Sequence, residues 1–170
     1  MEKNLTDLYQ QLQKLLTLHR QLLETLRLER EALVAANIAQ IEDMALAKQA
    51  VLDQIERADT LRRKLSDSLA ASVSIEPARL KLSQVAIIAQ GIQVRLGEQF
   101  RSVQQALSHV LTKVEEQGEY NRQLVEQSLE TVVQMKRNIL GAEAPRAGTY
   151  SPRGQQATNN TGARLLSKEI

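Results

Sequence analysis

The chain has no cysteine and no tryptophan, only three tyrosines and one phenylalanine, and three prolines in 170 residues. Without thiols there is no disulfide, no thiolate nucleophile and no soft metal ligand. The two histidines, His19 and His109, are isolated. They make no zinc set, and no Glu-x-x-His pair is present to build a carboxylate-bridged site in a helix bundle, so neither metal nor cofactor is expected. Nowhere do 18 or so apolar residues run uninterrupted, and no basic segment leads into an apolar block. Stable membrane insertion is therefore not expected, and a cytoplasmic location is.

Charge of one sign is also missing. Of 22 basic and 20 acidic residues, the stretch beyond Leu140 holds four basic (Arg146, Arg153, Arg164, Lys168) and two acidic (Glu143, Glu169), which leaves the body neutral. A neutral body with almost no stacking aromatics has no means of holding a nucleic acid. The one basic cluster, Arg62-Arg63-Lys64, has Asp59 and Asp67 within a turn on either side and reads as a solvated helix face. Glu29/Glu31 and Glu42/Asp43 read as charges on exposed faces. No Gly-rich phosphate loop or nucleophile–base pair is present, so the chain is not expected to be an enzyme.

What is there is aliphatic helix. From Leu5 the apolar residues fall at Leu8, Leu12, Leu15, His19, Leu22, Leu26 and Leu33, alternating steps of three and four, with a skip at Glu29/Arg30. His19 on this stripe reads as a half-buried packing residue. Leu16 and Leu23 widen the stripe, which suits a bundle better than a two-stranded coil. Asn37, with Gln40 three residues later, has the form of an N-cap restarting a helix at Ile38. A second seam runs through Ile38, Ile41, Met44, Ala45, Val51, Leu52, Ile55, Ala58, Leu65 and Leu69. Lys48 and Arg62 interrupt it, their stems expected along the apolar surface with the charged heads in water. Glu76-Pro77 ends that segment and starts a third, with Pro77 as its first helical residue.

The third segment, Pro77 to Leu140, carries a seam through Leu82, Val85, Ala89, Ile92, Leu96, Val103, Leu107, Val110 and Val114. At about 1.5 Å per residue it would be roughly 90 Å long, about twice its predecessors. Either it bends or breaks near Gly91, Gly97 or Gly118, or its end offers Leu124, Val125, Leu129, Val132, Val133, Met135, Ile139 and Leu140 to another molecule. We favour the second. The edge of coverage is placed at Gly118, where Gln117 and Asn121 take positions the pattern would make apolar. The fold expected is all-α: an antiparallel bundle of three long helices over 1–140, the third bent, broken or overlong. A tail over 141–170, too polar to offset its ordering entropy, is expected to be disordered.

Over nearly its whole length the chain resembles the FlgN-type flagellar export chaperones. The resemblance rests on the leucine seam leading into Glu29-Arg30-Glu31-Ala32-Leu33, on Ile38, Ile41, Lys48, Val51-Leu52, Ile55 and Arg62, and on Asn121-Arg122-Gln123-Leu124-Val125-Glu126. It continues in Tyr150-Ser151-Pro152-Arg153-Gly154-Gln155. It implies a cytoplasmic type III export chaperone for the hook-associated junction proteins FlgK and FlgL, whose helical C-terminal segments it covers until secretion. The resemblance further implies client binding by Asn121, Leu124, Val125, Leu129, Val132, Val133, Ile139 and Leu140. Docking to the export-gate protein FlhA falls to Tyr150 and Gly154. The competing expectation from the seams alone is a coiled-coil scaffold that self-associates through the same face. A homo-oligomer in the absence of client is compatible with either.

Overall fold

A computed structural model of the chain describes residues 1–140, with side chains through Ile139. Leu140's side chain, the expected tail disorder, Tyr150 and Gly154 lie outside the described residues. All regular structure among the described residues is helical: α1 (Glu2–Val34), α2 (Ile38–Ser72), a 3-10 turn (Pro77–Arg79), α3 (Leu82–Ile92) and α4 (Val94–Leu140). Met1–Leu124 form one compact unit and Val125–Ile170 a second, of which the helical stretch to Leu140 is described.

In the first unit α1 supplies the central seam. Leu5, Leu8, Leu12, Leu15, Leu18, Leu22, Leu26, Glu29 and Ala32 are its buried residues. The expected seam drifts by one residue in two places, because Leu18 is buried where His19 was expected and Ala32 where Leu33 was. His19 is half-buried, its Nδ1 2.8 Å from the Leu15 carbonyl oxygen. Each fully buried leucine contributes roughly 1.5–3 kcal/mol, so this stripe is the main source of the unit's stability.

The first hairpin forms as its sequence dictates. The Asn37 side chain accepts a hydrogen bond from the Gln40 amide at 3.2 Å, capping α2. Just before it, the Asn37 amide donates to Ala32 O at 3.0 Å and the Ala36 amide to Leu33 O at 3.1 Å, the paired bonds of a Schellman ending. That ending places Ala36 at φ 49°. Side-chain bonds between Asn4 and Ser68, and from Gln11 to the Ala58 carbonyl, show α1 and α2 to be antiparallel.

The third segment departs from the expected helix start at Pro77 and, between Gly91 and Gly97, takes the break that its sequence allowed. Pro77 opens only the short 3-10 turn, and α3 starts at Leu82, where the Gln84 side chain accepts from the Lys81 amide at 2.9 Å. The chain then breaks at Gln93, extended at φ −148° and ψ 120°. The Gln93 amide closes α3 on the Ala89 carbonyl, while its own carbonyl accepts the first α4 bonds from Leu96 and Gly97. Folding so sharply brings the backbones together: a Cβ on Gly97 would lie 2.6 Å from Gln90 Cβ and 2.9 Å from the Ala86 carbonyl oxygen. Only glycine fits there. The break shifts the phase of the seam, so Ile92 is exposed and Phe100 is fully buried.

Val85, Ala86 and Ala89 of α3 join Leu5, Leu8, Leu12, Leu69, Leu96, Phe100 and Val103 in one core cluster. The Phe100 ring meets Tyr9 edge to face at 5.7 Å. Further along, the Arg30 guanidinium lies 4.7 Å over the Tyr120 ring. Through Leu124, then, α4 runs in the same direction as α1 and opposite to α2.

Candidate functional site

The first unit's last ring of contacts is polar. Asn121 Nδ2 donates to the Leu26 carbonyl at 2.8 Å and to Glu29 Oε2 at 2.9 Å, and its Oδ1 accepts from Gln117 at 2.9 Å. The other Glu29 oxygen takes the Lys48 ammonium. Glu29, expected on an exposed face, is therefore buried. Lys48, expected with its head in water, is drawn to it. A buried carboxylate needs such partners, and α1, α2 and α4 each supply part of the cluster. Of the seven residues assigned to client binding whose side chains are described, Asn121 alone is buried, and its amide is already engaged with α1. Leu124 is half-buried.

In the second unit the helix has a different surface. Val125, Leu129, Val132, Val133 and Ile139 follow helical spacing along one face and are between 42% and 82% exposed. Met135, 58% exposed, widens the apolar area, and Lys136 interrupts it between Val133 and Ile139. Burying a half-exposed aliphatic side chain of this size is worth on the order of 1 kcal/mol. Five or six in a row offer a partner helix several kcal/mol before the costs of association.

The basic cluster in the first unit behaves as the sequence predicts for Asp59. Its two oxygens accept from Arg62 Nε at 2.6 Å and Arg63 Nε at 2.7 Å. Burial raises the Asp59 pKa, but the hydrogen bonds and charges of Arg62 and Arg63 outweigh it, and the carboxyl sits below its ordinary 3.8.

A second apolar surface escaped the sequence reading. Between α2 and α4, with Leu8, Leu12 and Leu15 of α1 as its floor, lies an open groove of about 780 Å³. Leu52 and Ile55 form one wall, Leu107 and Leu111 the other. The expected second seam is thus incompletely covered: Ile38 and Leu52 are exposed, as are Leu46 and Leu61 outside it. The signal available was the interruption of that seam by Lys48 and Arg62.

No group of metal-ligating residues occurs among the described residues, and none of their helices is long and apolar enough to cross a membrane. The described residues thus form a helical unit joined to a helix with an aliphatic face in water. The family model described as FlgN protein matches residues 1–158, and the chain belongs to that family, the FlgN-type flagellar chaperones. No curated protein and no solved structure matches the chain.

Proposed function

We propose that the protein is a cytoplasmic type III export chaperone whose α4 face, Val125 to Ile139, binds the helical C-terminal segments of FlgK- and FlgL-like junction proteins. The observation that carries this reading is the exposure of that face in a chain of this family. A client helix laid along it buries its own apolar stripe and the chaperone's together. The work is reversible burial, with no bond made or broken, and the protein is not an enzyme. Tyr150 and Gly154 then serve as the contact with the export gate FlhA.

Replacing both Val132 and Ile139 by Asp tests the client site. Binding of a junction-protein C-terminal peptide should be lost while helical content stays at the wild-type level; unfolding of the variant, or retained binding, would refute the assignment. The gate contact is tested separately by Tyr150→Ala, expected to weaken FlhA binding and leave client binding intact.

A further inference from the structure

The groove in the first unit stands where a full-length fourth helix would lie. Beside Leu5, Leu8 and Leu12 the core includes Val85, Ala86 and Ala89 of α3. Around Leu15 and Leu18 it draws on α2 and α4 through Ala58, Ile55 and Leu107. The groove begins where α3 begins, at Leu82, and along α2 it spans Leu52 to Ser66, about 21 Å or four turns of helix. Its two ends differ. At the Ser66 end it is bounded by the connection between α2 and α3, whose 3-10 turn packs against α2 and whose Leu80 packs against the core. At the other end α1, α2 and α4 all run on past His19, Leu52 and Leu111, and the mouth is open. Charge is graded along the same line. Toward the bounded end Asp59 faces two guanidiniums, Arg62 and Arg63, and holds only the Nε of each, so positive charge and the Nη groups are left over. Glu56, seven residues before Arg63 and so about 10 Å nearer the mouth, is negative.

A helix entering this groove from its mouth must stop at the bounded end, and charge decides which terminus it presents there. A helix C-terminus carries about −0.5 of dipole charge and, where the chain ends, a full α-carboxylate as well, whereas an N-terminus would bring positive charge to Arg62 and Arg63. We propose that the groove seats the last turns of the client's C-terminal helix, its terminal carboxylate at Arg62 and Arg63 and its aliphatic stripe against Leu52, Leu107 and Leu111. The leucines supply the affinity, and the guanidinium–carboxylate bonds fix direction and register. The proposal rests on the export reading for the identity of the client, and it adds to the ridge a site that recognises a free chain end.

The test is calorimetric binding of a junction-protein C-terminal peptide to the full chain, with the peptide as free acid, as C-terminal amide, and with a Gly-Ser extension. The amide and the extended peptide are each expected to bind about three- to tenfold more weakly than the free acid. In Arg63→Gln the free acid should weaken and its advantage over the amide should shrink, because the amide has no charge to lose. Leu111→Asp, on a groove wall and 40% exposed, should weaken all three peptides about tenfold or more. Circular dichroism should show unchanged helix content in both variants, and the acid–amide comparison, made on the wild type, stands whatever a variant does to the fold. Equal binding of acid, amide and extended peptide would overturn the proposal, as would binding of the free acid indifferent to Leu111→Asp. If the Val132→Asp, Ile139→Asp double variant still abolished binding in that case, the export reading would stand and the groove site alone would be refuted. A peptide that bound the wild type in none of its forms would refute the export reading, and the proposal with it.

Discussion

Asn121 and Glu29, 92 residues apart in sequence, are hydrogen-bonded at 2.9 Å in the last ring of contacts in the first unit. The bond ties α4 to α1, and Lys48 on the far oxygen of Glu29 ties in α2. Polar groups that must all meet fix one register among helices whose leucines would tolerate several.

Breaking this cluster one partner at a time is therefore expected to cost more than replacing it. Asn121→Ala leaves the Leu26 carbonyl and one Glu29 oxygen without their partner and should lower stability by about 1–3 kcal/mol in urea titrations. The triple replacement Glu29→Leu, Lys48→Met, Asn121→Leu should return to within roughly 1 kcal/mol of wild type, because no charge is then left buried alone. A triple variant less stable than the single one would show that the cluster contributes net stability.

At the α3–α4 corner, Gly97→Ala must push apart two backbones, since Gln90 Cβ would be 2.6 Å away. We expect a loss of about 1–3 kcal/mol. Gly118→Ala, with nothing within 4 Å of the added carbon, should instead gain about 0.8–1 kcal/mol from helix propensity alone. Thermal melts of the two variants should move in opposite directions.

Ala36, at φ 49°, occupies the left-handed position of the first Schellman ending. Relief of Cβ strain there favours glycine, so Ala36→Gly should stabilise the hairpin by roughly 0.5–1 kcal/mol. A fall in the denaturation midpoint would contradict this.

Asp59 provides a pH signature. Its folded-state pKa is depressed, so the stability it contributes is fully present above the ordinary value of 3.8 and is lost as the pH falls through the depressed one. The gap in stability between wild type and Asp59→Asn should be constant at neutral pH and close only in acid below 3.8. Denaturation midpoints at a series of pH values would show a gap that closes higher up if the sign is wrong.

Much of the architecture could be read from residue spacing. Asn37 and Gln40 marked the first turn because capping is local chemistry, and the leucine seam of α1 marked its buried face because period alone decides it. The edge of the first unit was visible in Gln117 and Asn121. A break near Gly91 or Gly97 was one of the two readings the sequence allowed, but its place at Gln93 was not legible, because it depends on how closely Ala86 and Gln90 approach Gly97, a distance that no local pattern encodes. Glu29 was misread for a related reason: a charged residue on a seam looks like a gap until its partners, from helices far away in sequence, are seen to converge. The aliphatic ridge beyond Leu124 was legible as unspent periodicity. The groove was not, since it arises from the spacing between α2 and α4.

The core cluster gathers Leu5, Leu69, Phe100 and Val103 into one body. During synthesis the N-terminal leucines therefore emerge long before the residues that will enclose them. The hairpin of α1 and α2 must wait on the ribosome with its stripe only half covered, and closure comes when Phe100 and Val103 arrive. Such late, long-range closure slows folding and lengthens the interval in which the nascent chain is prone to stick to its neighbours.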